Sequence, residues 1–228
     1  MRPAAELALL VAALAASCTP PAPAPVSYTW PAGTVLAVEG VPITAEEVDL
    51  ASVYVERIHP GSSPAQLRRL ALTNVALPRA VSRVLAPELY ARARESALAT
   101  LATVKAGQPL VGPPSDGLEV SQRITGGWSE LGLLAWGIAM DLPEGEWSEP
   151  IEEVGHFILL RRVAHKDGPV PIATQVTVDA FVFPWLASDR VQREVDAAYD
   201  HCKLTIVDPE WRAIVPEHTQ YRMGVHKP

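Results

Sequence analysis

The chain has 228 residues, 26 acidic against 19 basic side chains for a formal net charge of −7, and a 48% apolar fraction. That apolar share is enough to fill a core, which argues against a disordered chain, and an acidic chain without a Lys/Arg stripe is a poor binder of phosphate backbones. Two cysteines exclude a disulfide framework, and no paired Cys/His spacing suggests a zinc site; no metal or cofactor is expected. Proline stands out: there are 22, roughly twice the average usage of about 5%.

The first 17 residues read as a secretory signal, with Arg2, an apolar run from Leu7 to Ala16, and small residues before Cys18. Leu14-Ala15-Ala16-Ser17-Cys18 resembles a bacterial lipobox, which implies lipidation at Cys18; an ordinary secretory leader is the alternative. Residues 18–33 carry Pro20, Pro21, Pro23, Pro25 and Pro31 and are expected to form an extended tether. The expected location is therefore the periplasmic side of a bacterial envelope, lipid-anchored or, in the alternative, secreted.

Residues 34–38 alternate as a strand, Glu39-Gly40 turns, and Val41-Pro42-Ile43 returns. Thr44-Ala45-Glu46-Glu47 is a capping box that opens a helix, and Ser63-Pro64-Ala65-Gln66 repeats the logic. Leu67, Leu70, Ala71 and Val75 share a face, and Pro78 is expected to kink or end that helix. Pro87 starts the next, from Glu88 to Lys105, with Leu98, Leu101 and Val104 at helical spacing and Gly107 as its stop. Residues 108–117 read as a loop, residues 174–185 alternate as a strand, and residues 191–201 as a helix. Asp179 is read as a solvent-facing or turn-pairing acid, Cys202 as a buried inert thiol, and Glu152-Glu153 and Arg161-Arg162 as solvated faces.

The most distinctive text runs from Thr125-Gly126-Gly127-Trp128-Ser129-Glu130-Leu131-Gly132 through Leu142-Pro143-Glu144-Gly145-Glu146-Trp147-Ser148-Glu149-Pro150-Ile151 to Gly155-His156-Phe157-Ile158. It resembles the C-terminal half of a parvulin-type (PpiC-like) peptidyl-prolyl cis-trans isomerase domain. That family writes Gly-Gly-x-Leu-Gly, then Leu-x-x-Gly-Glu-x-Ser-x-Pro, then a closing Gly-x-His strand. The opening strand and turn at residues 35–44, and the helix and strand over 191–211, are similar to SurA-type periplasmic foldases.

The resemblance implies an α+β chain in which a helical SurA-like chaperone module flanks a small parvulin-like α/β domain with an antiparallel sheet. The expected divisions are residues 34–86 for the N-terminal helical module, 87–170 for the parvulin-like domain, 171–215 for a C-terminal strand-helix-strand, and 216–228 for a tail. Residues 174–185 are expected to pair with the strand over 157–163 and complete the sheet. It also implies a function: binding unfolded, proline-containing polypeptides, with rotation of X-Pro bonds, whose barrier is about 18–20 kcal/mol, favoured by an apolar pocket that prefers the twisted amide. No nucleophile, metal or cofactor is needed for that step.

The family's catalytic pattern is incomplete in this chain. Residues 80–87 hold no histidine, and Phe157 stands where a second histidine is expected, with His156 one position earlier. His156 and Phe157 are the catalytic candidates; Gly126, Gly127, Trp128, Leu131 and Trp136 are the substrate-binding candidates. The leading reading is a foldase-like envelope lipoprotein with isomerase activity weakened or lost. An active isomerase and a non-enzymatic scaffold that docks one partner are the alternatives. Expected partners are extended polypeptides and, through the anchor, a membrane, but not nucleic acid.

Overall fold

The computed structural model describes residues 29–108, 119–187 and 189–225, with only the backbone described at 119–122. Cys18 and the proline cluster at 20–25 lie outside these residues.

The chain begins with a hairpin. Strand β1 (Thr34–Val38) pairs antiparallel with β2 (Val41–Thr44) through Glu39 and Gly40, both at positive φ (46° and 86°), which matches the twist of the flanking strands. Helix α1 (Ala45–Ile58) follows at once, with the Thr44 hydroxyl accepting from the Glu47 N–H at 3.1 Å. Helix α2 (Pro64–Ala71) carries the full reciprocal cap between Ser63 and Gln66.

Of the two outcomes expected at Pro78, a kink or an end, the end does not occur. A π-helical turn over Leu72–Ala76 joins α2 to α3 (Leu77–Leu85), and the Leu77 N–H bonds back five residues to the Leu72 carbonyl. Proline offers no N–H and crowds the carbonyl four residues before it; widening the preceding turn lets the chain pass through. Helix α4 (Pro87–Lys105) then closes on Gly107 at φ +67°.

Strand β3 (Glu119–Gly126) leads to the short helix α5 (Trp128–Leu131), helix α6 (Leu133–Asp141), strand β4 (Ile151–Glu153) and the long strand β5 (His156–Lys166). After a single 3₁₀ turn come β6 (Gln175–Pro184), α7 (Val191–Tyr199), β7 (Leu204–Ile206) and α8 (Glu217–Arg222). The fold is α+β, with two antiparallel sheets ordered β2-β1-β7 and β3-β6-β5-β4. The 174–185 segment pairs with β5 as expected, from Phe157 opposite Phe183 to Lys166 opposite Gln175. Strand β3, which the sequence reading passed over, lies on the other side of β6.

The larger sheet is covered on both faces. Ile158 and Leu160 of β5, with Val176, Val178 and Ala180 of β6, face the larger core, which holds α6 and the N-terminal helices. Phe157, Leu159 and Phe183 alternate to the other side and meet Ala93, Ala97 and Leu101 of α4. Of the three residues expected to pack, Leu101 is buried and Val104 half-buried against this face, while Leu98 is exposed; Ala93 and Ala97 complete the stripe, and such small residues let the helix approach an aromatic-rich sheet face. Among the described residues, no helix is long and apolar enough to cross a membrane.

Candidate functional site

The seven sequence-predicted residues do not form one cleft. Phe157 is sealed beneath α4, its ring 5.3 Å from Tyr90 and 5.0 Å from Trp185. Leu131 and Trp136 are buried in the other core, and the Trp136 indole, with no exposed surface, donates to the Thr174 carbonyl at 3.1 Å. His156 starts β5 opposite Glu153 and Pro184; desolvation lowers its pKa, which favours the neutral ring. Gly126 ends β3 opposite Val176, and the Gly127 N–H donates to Glu130 Oε2 at 2.8 Å. Of the seven, Trp128 alone is a large apolar side chain with substantial exposure, at 38%.

The region around Leu131 and Trp136, expected to bind substrate, is filled. Helix α1 packs on α6 there, and Gly137 lies so close to the Tyr54 ring that an added Cβ would overlap it. Both faces of the sheet are therefore closed where an isomerase pocket was expected, one by α4 and one by α1 and α6.

An open concavity lies beside this closed region, and Trp128 forms part of its wall. It has a volume of about 450 Å³, within the ordinary range for binding pockets. Ile58, Val75, Leu133 and Val154 give it apolar surface; Asn74, Arg79 and Glu153 add polar groups. Glu153 is held by geometry that only glycine permits: Gly132 turns at φ +86°, and the carboxylate reaches over it to accept the Ala135 N–H at 3.0 Å. Helix α6 is thereby capped from another strand, with a carboxylate at its positive end. Desolvation pushes the Glu153 pKa up to about 7, against the opposing pull of the Ala135 N–H and Arg79.

Behind Glu153 lies a network that the sequence reading took for a solvated face. Glu152 is only 9% exposed. Arg83 Nε donates to its Oε1 at 2.5 Å and Arg83 Nη2 to its Oε2 at 2.8 Å, while the Tyr90 hydroxyl donates to Oε2 at 3.2 Å. Glu47 of α1 completes the set, 3.0 Å from Arg83 and 3.5 Å from Arg79. A doublet of acids at a strand end does not reveal that one member turns inward to two arginines spaced four apart on a distant helix.

Two further concavities adjoin the first. One, of about 760 Å³, shares Asn74 and Val154 with it and extends past Tyr199 and Arg222; the next, of about 890 Å³, shares Arg69 and Pro216 and ends near Tyr221, which is 89% exposed. Together they make a groove along α2, the π-turn and the first turn of α3. Within the larger sheet, Asp179 accepts from both Arg123 and Arg161 across three strands, and those two bonds hold its pKa down. Among the described residues no group of three His, Cys, Asp or Glu is placed to hold a metal ion. Comparison with known proteins returns no matching family model, no matching curated protein and no matching solved structure.

Proposed function

We propose that the protein is a foldase-like chaperone of the bacterial envelope, similar to SurA-type parvulins, that holds extended polypeptide without efficient peptidyl-prolyl isomerisation. The observation that carries this reading is the groove of three adjoining concavities, where exposed Trp128 and Tyr221 stand among polar side chains and half-buried aliphatic ones such as Ile58, Leu70, Leu133 and Val154. Extended chains bind such surfaces because their backbone groups stay solvated or paired while side chains find apolar recesses. Packing supports the weak turnover in this proposal. A catalyst for X-Pro rotation needs a pocket that prefers the twisted amide, and the expected place is occupied by Tyr54 on one face and by Tyr90 and Trp185 on the other.

Two assays on the purified chain test this together. Aggregation of several unrelated unfolded proteins is expected to be suppressed at near-stoichiometric amounts, while proline-limited refolding is accelerated little above background. Strong acceleration of refolding would overturn the assignment of weak turnover. Suppression confined to a single partner would favour the scaffold reading instead. The lipid anchor at Cys18 belongs to the same proposal, and its test is given below.

A further inference from the structure

Helix α4 covers one face of the larger sheet at Phe157, Leu159 and Phe183. Farther along the strands that same face is open. Cross-strand partners share a face and residues two apart on a strand return to it, so Asp179, its partners Arg123 and Arg161, and the pair Lys166 and Gln175 all stand on this side. Arg123 and Arg161 have 63% and 41% of their side chains exposed, against 16% for Asp179, and Lys166 is exposed as well. Three cations thus share one carboxylate, a local excess of positive charge on a chain whose net charge is −7.

The two arginines are held in place. Arg161 Nη2 donates to Asp179 Oδ2 at 2.6 Å, and its guanidinium carbon lies 5.3 Å from the centre of the Trp147 ring, which stacks on Phe181. Arg123 gives Nε and Nη2 to the two Asp179 oxygens, at 2.8 and 3.1 Å. Nη1 of both arginines and Nε of Arg161 have no acceptor among the described residues, and Lys166 has no ion pair among them. Donors fixed in this way lose little freedom when a ligand arrives, and a planar guanidinium matches a carboxylate.

We propose that this open part of the sheet docks an acidic, extended polypeptide segment, one carboxylate meeting Arg161 and Arg123 and a second meeting Lys166. Asp179 and Gln175, which mark the two positions, are four residues apart on β6, a distance of about 13 Å along a strand. An extended chain bridges that span with carboxylates four residues apart, whereas a compact anion reaches the arginine pair or Lys166 but not both. The surrounding negative charge of the molecule confines an acidic segment to this face. The site is separate from the groove and does not depend on it.

The test titrates the full chain at low salt with fluorescently tagged twelve-residue Gly/Ser peptides, acetylated and amidated, that carry two Glu four residues apart, two adjacent Glu, or two Gln. The spaced Glu peptide is expected to bind about fivefold tighter than the Gln peptide, and the adjacent pair to show only part of that gain. Lys166→Glu, at an exposed side chain, is expected to erase the gain with the melting temperature retained, and Arg161→Gln to weaken it. Lys203→Glu, which makes the same change in net charge beside β7 of the smaller sheet, is expected to leave it. Equal binding of Glu and Gln peptides, equal binding of spaced and adjacent Glu, or an equal loss in Lys203→Glu would overturn the docking site. Displacement of the peptide by inorganic phosphate beyond that by chloride at matched ionic strength would overturn the polypeptide as its occupant.

Discussion

Glu153 links a single carboxyl group to the acid–base behaviour of the fold. Its pKa rises from the ordinary 4.5 to about 7, chiefly through desolvation. Between those values the folded protein holds a proton that the unfolded chain has released, so this group's contribution to stability is fully present below 4.5 and is lost as pH rises through 7. Glu153→Gln keeps an oxygen for the Ala135 N–H and removes the ionisation. The variant's melting temperature is expected to fall less than that of the wild type between pH 5 and pH 8, as measured by scanning calorimetry. Gly137 gives a second test at this scale. Alanine would gain about 1 kcal/mol of helix propensity, but its Cβ would overlap the Tyr54 ring, and such overpacking costs about 1–3 kcal/mol. The clash wins, and Gly137→Ala is expected to lower the denaturant midpoint.

Elements show where sequence and structure agree. The caps at Thr44 and Ser63, the Pro87 start and the 174–185 strand were legible because each rests on residues within four positions of one another or on strict alternation. The π-turn before Pro78 was not, since a widened turn leaves the apolar spacing almost unchanged. Strand β3 was missed because only Val120, Ile124 and Thr125 favour a strand, among charged and polar neighbours. The candidate site was least legible: Trp128 was named, but Arg79, Asn74 and Glu153 come to it from a helix, a π-turn and a strand far apart in the chain. The same distance makes the arginine network a brace between elements. Arg83→Met leaves Glu152 and Glu47 with Arg79 as their remaining cationic partner in the network. Breaking a buried ion pair typically costs about 3–5 kcal/mol, and Arg79 offsets part of that, so a loss of about 2–3 kcal/mol in chemical denaturation is expected.

At the scale of the whole molecule, the proposal combines a closed sheet with an open groove. The anchor is tested by fractionation: Cys18→Ser is expected to move the protein from the membrane fraction to the soluble envelope fraction, with groove binding unchanged. The small sheet carries a separate consequence. Leu36 in β1 pairs with Ile206 in β7, so the edge of a strand made early waits for a partner 170 positions later. At typical synthesis rates that interval is on the order of ten to thirty seconds, and pairing at such range also slows folding. Until β7 arrives, the backbone groups along that edge of β1 lack their strand partner. For the envelope location proposed above, such a clasp ties the native state to the end of export, because the last strand among the described residues is the one that pairs with the first.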